Sequence, residues 1–150
     1  MMTPREPIEL VRLIASGRWK PKHVAAYRTQ FGDGALLNVL LCPFLEDCST
    51  ETLTHYECQQ TTGTLLLEIM PECDRPLRQM IRRSLPLWNL SVEQWPFFLC
   101  RQYGIDAVSG EIDELATADL LNEIEQRAID TLRYWLRAEP DTILGTTLPG

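Results

Sequence analysis

Apolar positions in this chain recur at intervals of three and four, the spacing of one helix face, and the gaps between runs hold proline, glycine and short polar residues. Ile8, Leu10, Val11, Leu13 and Ile14 lie between Pro7 and Gly17, which predicts a helix opened by proline and stopped by glycine. Trp19 falls in a short link. Pro21 then opens a helix over 22–31, with Val24, Ala25, Tyr27 and Phe31 as its stripe and Gly32 as its end. Asp33 is placed to cap a third helix whose residues from Ala35 to Leu41 are apolar nearly all round, the mark of a central element. Pro43 is expected to end or kink it.

The pattern weakens after Pro43. Ser49 or Thr50 is expected to start the next segment, and Thr61-Thr62-Gly63 to interrupt it. Leu65 to Met70 fits a buried strand or a buried helix, and with no second strand pattern to pair with, helix is the reading. Asp74 is expected to cap a helix over 75–85 with Leu77, Met80, Ile81 and Leu85 on one face and Arg75, Arg78, Arg82 and Arg83 on the other.

The stretch 85–99 concentrates the large side chains: Trp88, Trp95, Phe97 and Phe98, with Pro86 and Pro96 between and before them. Ser91 and Gln94 have the spacing of a capping box, and Leu90 and Trp95 that of a hydrophobic staple. Pro96 is expected to strain the first turn of a helix that runs to Tyr103. Past Gly104, Asp106 starts a short helix that Gly110, at about 1 kcal/mol against alanine, is expected to make irregular. The last helix takes Asp119 as its cap, carries a stripe of Leu121, Ile124, Ala128, Leu132 and Trp135, pairs Glu123 with Arg127, and ends at Pro140. The expected fold is all-α: a single compact domain over 1–141 of about seven or eight mostly short helices, as an irregular bundle or stacked helix hairpins, followed by a flexible tail over 142–150.

With 150 residues, 45% of them hydrophobic, the chain can bury one substantial core. The longest uncharged apolar run, 35–45, falls short of the roughly 20 residues that span a membrane. No apolar signal core follows Met1, so a cytoplasmic protein with no membrane partner is expected. Five cysteines, an odd number, then read as reduced thiols, most of them small core hydrophobes.

Charge changes the picture more. A net charge of -7 argues against nucleic acid as a partner. The charges also come in blocks: basic over 1–30, acidic with no basic residue over 31–74, basic over 75–101, acidic with no basic residue over 102–126. Such blocks pair inside the fold or present docking faces. The candidate acidic face is Asp106, Glu111, Asp113 and Glu114; the candidate basic face is Arg75, Arg78 and Arg82.

Candidate chemistry is sparse. Cys48, His55, Cys58 and Cys73 could in principle supply the four ligands of a zinc site, but there is no CxxC pair and the spacings fit no zinc module, so no metal and no cofactor is expected. His55 and Cys58, three apart on a helix, could form a nucleophile and base, but no third group is evident to orient the imidazole. Phosphate loops, GxSxG elbows and HExxH motifs are absent from the sequence. The expected function is that of a non-catalytic interaction module with a protein partner, either a second copy of the chain or a basic protein that it inhibits in the manner of an acidic immunity protein. The alternative is a small enzyme or ligand-binding domain with a pocket lined by Trp88, Trp95 and Phe98.

Overall fold

A computed structural model gives the structure of residues 6–118 and 120–138. Among these residues there are eight helices and no strand: α1 (Pro7–Ala15), α2 (Pro21–Phe31), α3 (Asp33–Leu45), α4 (His55–Ile69), α5 (Leu77–Ser84), α6 (Gln94–Tyr103), α7 (Ile105–Ala118) and α8 (Glu123–Ala138). The all-α expectation holds, and the doubtful run 65–70 is helical to Ile69. The chain divides into two units, Met1–Cys73 and Asp74–Gly150. The expected cap Asp119 and the expected tail 142–150 lie outside the described residues.

In the first unit α3 is the centre, packed by α1, α2 and α4, which is why its sequence has no polar face. Leu36, Leu37, Val39, Leu40, Leu41 and Phe44 are all buried, each worth about 1.5–3 kcal/mol of transfer energy. Gly32, at φ 91°, ends α2 and caps α3 at once, a left-handed turn that a side chain would resist. Asp33 is therefore the first helical residue and not the cap. Its carboxylate instead accepts from Arg28 Nε at 2.6 Å and from the Glu72 amide at 3.3 Å. Pro43 does not end α3, which continues to Leu45. Lying in the last turn, it removes only one helical hydrogen bond.

Two expectations about α4 fail for identifiable reasons. Its cap is Thr54, whose hydroxyl accepts from the Glu57 amide at 3.0 Å while the Glu57 side chain reaches back to the Thr54 amide. Thr50 belongs to a tight turn of its own, accepting from the amides of Thr52 and Leu53. Thr61-Thr62-Gly63 is not a break either. Thr61 and Thr62 donate to the carbonyls of Glu57 and Cys58 four residues earlier, and Gly63 is buried within the helix. α4 closes at Met70, in the left-handed region at φ 48°, one residue before Pro71.

In the second unit α7 packs on α5, α6 and α8, and α6 also meets α8. α5 starts at Leu77 and not near Asp74, because a proline disfavours helical backbone at the residue before it, and Pro76 itself, in extended conformation, is the cap. Ser91 does not cap α6. Its amide and hydroxyl are both held by Asn89 Oδ1, at 3.0 and 2.5 Å, and α6 begins after Glu93. Pro96 thus sits third in the helix, where an amide needs no helical acceptor, so the expected strain does not arise. α7 runs unbroken through Gly110, which faces open space. α8 is capped by Asn122, which accepts from the Glu125 amide at 2.8 Å, and buries Ala128, Ile129, Leu132 and Leu136; Ile124, expected on the buried stripe, is exposed.

Candidate functional site

Three cysteines converge where α3 ends and α4 begins. Cys42 is in the last turn of α3, Cys48 in the link, and Cys58 in the first turn of α4; all three are buried. The Cys42 and Cys48 sulfurs are 3.3 Å apart, and the Cys58 thiol points at the Cys48 carbonyl at 3.9 Å. Arg12 of α1 donates from Nε to that same carbonyl at 3.4 Å. The two close thiols are unequal. A hydrogen bond with Cys48 holds the Cys42 thiol below its usual range, with Arg12 assisting against burial and Glu46. Cys48, which shares that bond and is buried beside two thiols, is pushed up. Burial, then Glu57, raises Cys58.

His55 stands at the first position of α4. Gln59 donates from its amide nitrogen to the Pro43 carbonyl at 3.0 Å and lies 2.8 Å from His55 Nε2. A carbonyl oxygen can only accept, which fixes the amide orientation; Nε2 must then accept too, leaving the ring proton on Nδ1, 3.5 Å from Asp47 Oδ1. The sequence showed no group to orient the imidazole, yet Asp47 is beside it. Even so, Nε2 is engaged by Gln59, and Cys58 points at a backbone carbonyl. The Cys58 and His55 pair considered from sequence is therefore not assembled as nucleophile and base. Nor do Cys48, His55, Cys58 and Cys73 converge: no group of three or more His, Cys, Asp or Glu side chains among the described residues is disposed to hold a metal ion.

In the second unit one arginine of the expected basic face meets two carboxylates of the expected acidic face. Arg78 of α5 donates to Glu111 at 2.8 Å and to Glu114, both on α7, and Arg133 of α8 donates to Asp113 at 3.1 Å. These side chains keep much of their exposure, so each pair contributes at most about 1 kcal/mol, but their charges offset one another. Asp106 is exposed at the start of α7. Arg82 is exposed on α5, and Arg75 precedes that helix with its carbonyl accepting from the Tyr103 hydroxyl at 2.6 Å.

Trp88, Trp95 and Phe98 are core side chains. Trp88 donates from Nε1 to the Val92 carbonyl at 2.9 Å, and Trp95 from Nε1 to the buried hydroxyl of Ser84 at 3.0 Å, which passes its own proton to the Ile81 carbonyl. Trp95 stacks on Phe98 with ring centroids 6.1 Å apart. Each indole N–H is thus satisfied from within, as a packed core requires.

Sequence reasoning missed the outer side of α8. On it Ile124 is 65% exposed and Tyr134 62%, and Leu120, before the helix begins, is fully exposed. A shallow cleft is lined by Asp130, Arg133, Tyr134 and Arg137. The available signal was the position of Tyr134, one residue and so about 100° from Trp135, whose ring meets Phe97 edge-on at 5.7 Å. No protein-family model, curated protein or solved structure matches this chain.

Proposed function

We propose that this chain is a non-catalytic protein-interaction module whose docking face is the outer side of α8. The observation that carries the reading is the exposure of Ile124 and Tyr134 on one helix, with Arg133 and Arg137 lining the cleft beside the tyrosine. Tyrosine and arginine at the centre of an apolar and charged patch are the side chains that dominate binding energy where proteins meet. In its finer form the proposal takes a basic protein as the partner, drawn at long range by the net charge of -7 and met in the cleft by the Asp130 carboxylate, Arg133 being already paired with Asp113. The arginine partners of Glu111, Asp113 and Glu114 move the burden of specificity from α7 to α8. The aromatic-pocket alternative has no comparable observation behind it, since Trp88, Trp95 and Phe98 are core.

The test compares the full chain with the double variant Ile124→Asp, Tyr134→Ala as bait in extracts of the native host, followed by titration of the captured protein. The expected result is a basic protein bound in fixed ratio, held about thirtyfold more weakly by the variant, as loss of a hot spot worth about 2 kcal/mol requires. Unchanged circular dichroism of the variant would show that its fold is intact. Self-association abolished by the variant would replace the basic partner with a second copy on the same face. Equal retention by both baits would remove α8 as the docking face.

A further inference from the structure

We propose that Cys42 and Cys48 form a redox-convertible dithiol, which a small peroxide oxidises to an intrachain disulfide clasping the end of α3 to the segment that enters α4. The geometry carries it. The sulfurs are already 3.3 Å apart, and closing to the bonded distance of about 2.05 Å asks for a shift of little more than 1 Å. One partner is held in the last turn of a helix and the other on the link that follows it. The chain between them is short, residues 43–47, so little loop-closure entropy opposes their meeting.

The roles follow from the asymmetry of the pair. Arg12 of α1, which donates to the Cys48 carbonyl at 3.4 Å, sets a guanidinium beside the pair and favours the charged form of Cys42, so Cys42 is taken as the attacking sulfur. The Cys42 thiolate attacks one oxygen of hydrogen peroxide, the O–O bond breaks, and hydroxide leaves and takes up the Cys42 proton to become water. Cys42 is then a sulfenic acid. The Cys48 sulfur attacks the Cys42 sulfur, and the sulfenic oxygen leaves as a second water with the Cys48 proton. In balance, two thiols and one peroxide give one disulfide and two waters. A peroxide is small and neutral enough for a site where Cys42 is 6% exposed. Oxidation of this kind is independent of the docking role of α8, which lies in the other unit.

The test is to expose the folded full chain to hydrogen peroxide, block remaining thiols with an alkylating agent and map the peptides by mass spectrometry. The expected product has lost the mass of two hydrogen atoms and links the Cys42 and Cys48 peptides. Its titratable thiols fall from five to three, and dithiothreitol restores them. Cys58→Ser should leave the rate of linkage within about twofold, because Cys58 is in neither step. Cys48→Ser should stop the reaction at a Cys42 sulfenic acid that a cyclic 1,3-diketone traps. Linkage through Cys58, Cys73 or Cys100, over-oxidation of Cys42 with Cys48 still free to alkylate, or both thiols unreacted would overturn the proposal. Should Cys48→Ser fail to fold, the peptide map of the natural chain decides alone.

Discussion

The link between α3 and α4 is fastened to its unit by polar atoms, while the link between α5 and α6 is fastened by two indoles. In the first, Gln59 reaches back to the Pro43 carbonyl and to His55, Arg12 holds the Cys48 carbonyl, and Thr54 caps the helix that follows. In the second, Trp88 and Trp95 fill the core and add a single hydrogen bond each, to Val92 and Ser84. Polar fastening specifies direction, because each donor needs its acceptor at one place. Aromatic fastening contributes far more area through fewer bonds, so it carries more stability and less positional detail.

That contrast is open to attack by substitution. Trp95→Ala should be the most damaging change, costing about 4 kcal/mol in urea unfolding through a large cavity and the loss of the donor to the Ser84 oxygen. Trp95→Phe should recover most of it; a phenylalanine variant as unstable as the alanine one would mean that the hydrogen bond, not the area, fastens the second link. Gln59→Leu keeps the volume but leaves the Pro43 carbonyl and His55 Nε2 without their donor, and should cost about 2 kcal/mol in the same assay. A loss as large as that of Trp95→Ala would erase the distinction between the two regions. Thr54→Ala should cost about 1 kcal/mol and fray the start of α4, visible as faster amide exchange at Glu57 and Cys58.

The smallest effect is a pH dependence in the first unit. The hydrogen bond from Arg28, with the Glu72 amide, holds the Asp33 carboxyl below the usual carboxylate range. Its contribution to stability is therefore present above the unfolded pKa of about 3.9 and is lost as pH falls through the lower folded value. The difference in urea midpoint between the natural chain and Asp33→Asn should shrink between neutral pH and strong acid. A difference that stays constant would show that the carboxylate charge adds nothing.

The helices themselves were legible, because long-range packing here agrees with local spacing: the run 35–41, apolar but for Asn38, is the central α3, and Ala128 and Leu132 are buried on α8. Helix starts were not. Ser91, Asp33 and Asp74 each have the chemistry of a cap, but the choice among competing starts is made by the backbone around them. Asn89 takes Ser91, Gly32 displaces Asp33, and Pro76 overrides Asp74. The true caps Thr54 with Glu57 and Asn122 with Glu125 were present at the correct spacing and were hidden by other candidates nearby, Ser49 and Thr50 for the first and Asp119 for the second. The alternating charge blocks did announce that Arg78 could meet Glu111 and Glu114. The approach of Cys42 and Cys48 depends on how the chain turns after a helix interrupted late by proline, and no spacing rule contains that.

Gln59 rejects the change that alters its shape least. Exchanging its amide for a carboxylate swaps one nitrogen for one oxygen and moves no other heavy atom, so by volume Gln59→Glu is conservative. By hydrogen count it is the reverse: two hydrogens given to two lone-pair bearers would become two more lone pairs, with a negative charge among them. Slow hydrolysis of this one side chain would reach the tip of α3 and the first turn of α4 together.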